Sequence, residues 1–187
     1  MKVLAALGVL VLLLLVPPAI SQAPDDKLIV PGQRIGKWTL AKTIDQLLQM
    51  NGPRNIRRGT PGSPLDRMQA WFADSNDEIW WHWWADVNFS AATRGRDAQR
   101  VEYIFTANDE FKTEKGTTPF VTAREAVESA YGRPTTVTRA GPEAGRMRLI
   151  YDEIGLAVIV GQAPTGASIT RALAVFRPGT ARTLWNF

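Results

Sequence analysis

The chain has 187 residues, 45% hydrophobic and 21% charged, with 15 Gly and 12 Pro; this profile fits one globular domain or two small ones and excludes a disordered polar chain or a collagen-like one. Its 22 basic and 18 acidic side chains leave a net charge of +4, too mild and too dispersed to point to nucleic acid as the partner. With no Cys and a single His there is no disulfide framework, no thiolate or imidazole-rich metal site and no cysteine nucleophile, so neither a metal nor another cofactor is expected.

The N-terminal segment reads as a targeting signal. Met1-Lys2 supplies the positive start, Val3 to Val16 is apolar with one Gly, Pro17-Pro18 breaks the run, and Ala19-Ile20-Ser21 places small residues before a cut after Ser21. The run is shorter than the roughly 20 apolar residues of a spanning helix, and no Cys follows it to accept a lipid. Residues 1-21 are therefore assigned to a signal peptide and 22-28 to a linker, with the mature protein periplasmic or extracellular and without a stable membrane anchor. Arg54, Arg57 and Arg58 read as a solvated loop.

The remainder reads as two copies of one unit, residues 29-110 and 111-187, folded together as one compact domain. Gly36 to Gly52 lies without gaps on Gly116 to Gly132. Thr43-Ile44-Asp45-Gln46 and Thr122-Ala123-Arg124-Glu125 have the form of capping boxes, each opening a short amphipathic helix. Leu47, Leu48 and Met50, then Ala126, Val127 and Ala130, supply the apolar stripes, and Gly52-Pro53 and Gly132-Arg133-Pro134 end the helices.

Downstream, the strand-like Arg67 to Phe72 faces Arg146 to Tyr151, and the turn Asp77-Glu78-Ile79 faces Asp152-Glu153-Ile154. Arg100 to Thr106 and Thr170 to Arg177 read as the closing strands. The pattern predicts an α+β fold of two tandem helix-plus-antiparallel-meander repeats, a two-layer sandwich with both helices on one face of a sheet of about eight strands.

These residues carry a resemblance. Ile29-Val30-Pro31-Gly32-Gln33-Arg34-Ile35-Gly36, Leu40 and Asn51-Gly52-Pro53, followed by Gly116, Thr122 and Tyr131-Gly132-Arg133-Pro134, resemble the exported bacterial repeat family of the beta-lactamase-inhibitor-protein-like fold. The resemblance implies helices on one side of an antiparallel sheet and roles that include protein inhibition and outer-membrane assembly. Unlike the small lipoproteins of outer-membrane assembly, this chain has no acylated Cys and carries two copies.

The unusual feature is Ile79-Trp80-Trp81-His82-Trp83-Trp84. On a strand, Ile79, Trp81 and Trp83 share one side, expected to face the helices, while Trp80, His82 and Trp84 share the other. With Met68, Ala70 and Phe72 inward on the neighbouring strand, the outward face collects Trp71, Trp80, His82, Trp84, Arg67, Gln69, Arg100 and Glu102. Trp and Arg are enriched at binding hot spots, so this aromatic and basic face is the candidate binding site. The alternative is that the loop from Asp86 to Asp97, or Leu184-Trp185-Asn186-Phe187, covers it.

No Gly-x-Ser-x-Gly elbow or phosphate loop is present, the acid pairs Asp77-Glu78 and Asp152-Glu153 sit at turns, and His82 has no acid in sequence nearer than Asp86. The expected function is an exported, non-enzymatic binding module for a protein or envelope polymer. The competing readings are an envelope enzyme acting on glycan or peptide through His82 and nearby acids, and a self-associating structural element.

Overall fold

The structure, a computed structural model, describes residues 27–58, 72, 78–84, 89–141 and 144–185. In chain order the elements are β1 (Leu28–Val30), β2 (Arg34–Ile35), β3 (Trp38–Thr39), α1 (Ile44–Asn51), β4 (Asn55–Arg58), β5 (Ile79–Trp84), β6 (Phe89–Arg94) and β7 (Val101–Thr106). They continue with β8 (Lys112–Thr113), α2 (Arg124–Tyr131), β9 (Thr136–Arg139), β10 (Met147–Tyr151), a 3-10 turn (Asp152–Ile154), β11 (Leu156–Gln162), β12 (Ser168–Phe176) and α3 (Ala181–Trp185). Eight strands form one antiparallel sheet in the order β4-β5-β6-β7-β12-β11-β10-β9. A second, four-stranded sheet runs β3-β2-β1-β8, with β8 parallel to β1.

The expected sandwich with helices on one face is overturned. Strands hold 43% of the described residues and helices 18%, and the small sheet is a component the sequence pattern did not provide for. The large sheet is buried on both faces. On one, Ile44 and Leu47 of α1 and Val127 of α2 pack with Ile29, Ile35 and Trp38 of the small sheet over Ile104, Leu149, Val158 and Leu173. On the other, Ala181, Leu184 and Trp185 of α3 pack with Phe72 over Trp81, Tyr103, Phe105, Ile150, Ile159 and Phe176. The physical reason is that the inner strands are apolar at successive positions, as in Leu156-Ala157-Val158-Ile159-Val160, so both faces must be removed from water.

Three further expectations are corrected. The strand matching β10 in the first copy is β5, not Arg67 to Phe72, because β4 to β7 and β9 to β12 occupy equivalent places on either side of the central β7–β12 pair; of the expected strand only Phe72 is described, and it stands in a turn. Ile79 accordingly opens β5 instead of closing a turn. Asn55–Arg58 is an edge strand, not a loop, because Asn55 to Arg58 pair with Trp83 to Trp80.

Among the helices, Thr43 makes the expected capping box, its Oγ1 accepting from Gln46 N at 3.3 Å while Gln46 Oε1 accepts from Thr43 N at 2.9 Å. The second box does not form. On the gap-free superposition Thr43 falls on Ala123, and Ala123 is the N-cap of α2, with no side-chain bond. Thr122 stands one residue too early, and its hydroxyl instead accepts from Thr118 N at 2.8 Å.

No helix among the described residues is long and apolar enough to cross a membrane.

Candidate functional site

Side chains of β5 alternate as expected, but the faces are reversed. Trp84 lies on the α1 side, 1% exposed, tilted against Phe89 at 5.6 Å, with Nε1 donating to Gly52 O at 3.1 Å. Gly52 ends α1 and leads within three residues into β4, the neighbour of β5, and so the chain itself brings the end of α1 over Trp84. Ile79 and Trp81 face the opposite way, into the core closed by α3, where Trp81 meets Phe105 edge-on at 5.7 Å. Trp80 is half-buried, with the Arg96 guanidinium 6.0 Å from its ring centre.

His82 is fully buried and fully engaged. Arg54 Nε donates to its Nδ1 at 2.7 Å, which leaves the ring proton on Nε2; Nε2 then donates to Thr93 Oγ1 at 2.8 Å, and Thr93 Oγ1 donates to Gly95 O at 2.7 Å. Burial, helped by the Arg54 charge, holds the imidazole pKa down at about 4. At neutral pH the ring is therefore uncharged with both nitrogens occupied, a joint between β4, β5 and β6.

Glu102 is also withdrawn from the surface: its carboxylate lies 3.9 Å from Arg94 Nε and 3.7 Å from Arg100 Nε. Arg94 in addition donates to Thr183 O at 2.9 Å and so fastens α3 to the sheet. Arg100 is exposed. Arg67, Gln69 and Trp71 lie outside the described residues. Trp80, His82, Trp84, Arg100 and Glu102 thus do not assemble into an open face: His82 and Trp84 are core on the α1 side, and Leu184 and Trp185 cover the other side of the sheet. Among the described residues no group of three or more His, Asp or Glu side chains is placed to hold a metal ion.

Two other surfaces stand out. The first is the turn before α2. Phe120 adopts a left-handed backbone with φ of 60°, the only non-glycine among the described residues to do so, and its amide donates to Thr170 O at 2.7 Å. Phe120 is 42% exposed and the following Val121 is 68% exposed. Arg171 lies 5.9 Å over the ring and donates through Nη2 to Gln162 O. On the superposition of the copies Phe120 falls on Leu40, which is core, 5% exposed. Leu40 is covered because β1, β2 and β3 precede α1, whereas only the short β8 precedes α2. Sequence reasoning missed this because both positions are apolar; the available signal was the unequal strand content of the two lead-in segments.

The second is an open groove of about 640 Å³ between α2 and β9, lined by Arg124, Glu128, Gly132, Arg133, Pro134, Thr135, Thr136 and Val137. Arg124 Nε donates to Glu128 Oε1 at 2.7 Å.

No family model matches this chain, and no curated protein or solved structure does so either. Its functional reading rests on this geometry.

Proposed function

We propose that the chain is an exported, non-enzymatic binding module that engages another protein through the Phe120–Val121 tip. The observation that carries this reading is Phe120 itself. A bulky side chain in the left-handed region costs of order 1–3 kcal/mol, persists only where the surrounding structure holds it there, and is concentrated at functional sites. Here the strain holds an aromatic ring and a Val outward together, in a turn pinned at Phe120 N and at Thr170 N, which donates to Thr122 O at 2.8 Å. Two adjoining apolar side chains backed by an Arg suit an apolar pocket on a protein better than a hydrated polymer. The binding reading is favoured over an envelope enzyme because His82 has neither a free nitrogen nor access to substrate. Export rests on residues 1-21, and the family resemblance, which includes protein inhibitors, points the same way.

The test is a photo-crosslinking amino acid placed in turn at Phe120, Val121 and, as a control, the exposed turn residue Glu153. A discrete adduct from the exported fraction is expected at Phe120 and Val121 and not at Glu153, and it should be competed by the wild-type chain. Equal labelling at all three positions, or none at the tip, would overturn the proposal.

A further inference from the structure

The groove between α2 and β9 raises a question separate from the tip. β9 is the last strand of the large sheet, and no described strand borders its outer edge. Ala140 N donates to Arg146 O at 3.1 Å, which continues the β9–β10 ladder, so the antiparallel alternation leaves Val137 with its N–H and C=O directed away from β10. Val137 pairs with Leu149 and is 40% exposed. The strand reads Thr-Val-Thr-Arg, four residues rich in β-branched side chains, with no Pro and no bulge in its pairing with β10.

The charges around this edge are biased. Arg133 lines the groove, is exposed, and makes no hydrogen bond or ion pair among the described residues. The groove's one acid, Glu128, is already matched by Arg124. Near this pair is Tyr151, whose buried hydroxyl has no hydrogen-bond partner among the described residues and which feels both the Glu128 and the Arg124 charge. A buried hydroxyl left unsatisfied calls for an explanation. If an incoming carboxylate drew Arg124 away, Glu128 would be free to accept the Tyr151 proton donor.

We infer that this groove is a second binding site, independent of the tip, that takes an extended acidic segment of another protein by adding it as a strand to β9. Backbone bonds to Val137 would hold the segment, and its carboxylates would meet Arg133 and Arg124, which line the groove. A second copy of this chain fits less well. Paired antiparallel about Thr136, β9 sets Arg133 of one copy opposite Arg139 of the other, where like charges destabilise a strand pair, and paired about Val137 it sets Arg139 opposite Thr135, so neither register supplies a carboxylate to Arg133.

The test uses the full chain and a fluorescent octapeptide of alternating Val and Glu, with an alternating Val and Lys peptide as control, read by anisotropy at low salt. Saturable binding of the acidic peptide alone is expected, weakened about tenfold or more by Arg133→Glu and by Val137→Pro, each variant checked for an unchanged melting curve. Tyr151→Phe, which removes only the orphan hydroxyl, should keep the fold and weaken binding, and it stands in if Val137→Pro does not fold. No binding by the wild type, equal binding of both peptides, or unaltered binding by Arg133→Glu and Tyr151→Phe would overturn the inference. So would a concentration-dependent dimer abolished by Val137→Pro, since it would assign the edge to a second copy.

Discussion

Protonation of His82 should destabilise the protein over a defined pH window. In the folded chain its pKa is about 4, against the ordinary value of 6.5, because the ring is buried beside the Arg54 guanidinium and both nitrogens are taken. A base whose folded pKa is depressed is protonated first in the unfolded chain. The stability associated with His82 is therefore complete above pH 6.5, falls as pH drops from 6.5 towards 4, and changes no further below that. Each unit of difference corresponds to about 1.4 kcal/mol, so the full window carries about 3 kcal/mol, a large part of a marginal folding free energy. Urea unfolding of the wild type and of His82→Gln through that window measures it. The variant should be less stable at neutral pH, because Arg54 and Thr93 lose their partner, yet its stability should fall less steeply as pH is lowered. Parallel pH profiles for the two proteins would refute the buried neutral imidazole.

Trp84→Ala should cost roughly 3–5 kcal/mol in urea unfolding, as a large-to-small change in the core that also frees Gly52 O, and Trp80→Ala well under half as much. Thr43→Ala should lower stability by about 0.5–2 kcal/mol, whereas Ala123→Thr, which supplies the cap that α2 lacks, should raise the melting temperature. Gly155→Ala should cost more than the roughly 1–2 kcal/mol of left-handed strain. The added Cβ would lie 2.1 Å from Phe176 O and 2.8 Å from Gly32 Cα, where three backbone segments cross. Thermal or urea melts check each of these.

What could be read from the sequence was local. Gly36 to Gly52 laid on Gly116 to Gly132 locates both helices, because an eight-residue amphipathic stripe ended by Gly is decided within its own segment. The closing strands were equally clear, Val101–Thr106 and Ser168–Phe176 standing close to their expected limits. What depended on distant contacts was not legible. Alternation along Ile79 to Trp84 shows that there are two faces but not which one meets α1, and that was decided by Gly52 feeding into β4. The covering of the opposite face came from α3, whose five residues are too few for a periodicity signal, and from Arg94 and Arg148, which hold it: Arg94 bonds Thr183 O, and Arg148 stacks 5.1 Å over Trp185. Trp and His in one strand therefore read as a surface when they are core, and the left-handed backbone of Phe120 leaves no trace in the sequence because nothing in its residue type records a positive φ.

The most direct test of the proposed binding role is Phe120→Asn, measured for both melting temperature and affinity for the protein crosslinked at the tip. Asn tolerates the left-handed region and lacks the ring, so the substitution separates folding from binding at one position. The variant should melt at or above the wild-type temperature and lose about thirtyfold or more in affinity, the scale of a hot-spot truncation of 2 kcal/mol. A variant that melts well below the wild type while binding as tightly would show that Phe120 is there to hold the fold and that the tip is not the binding site.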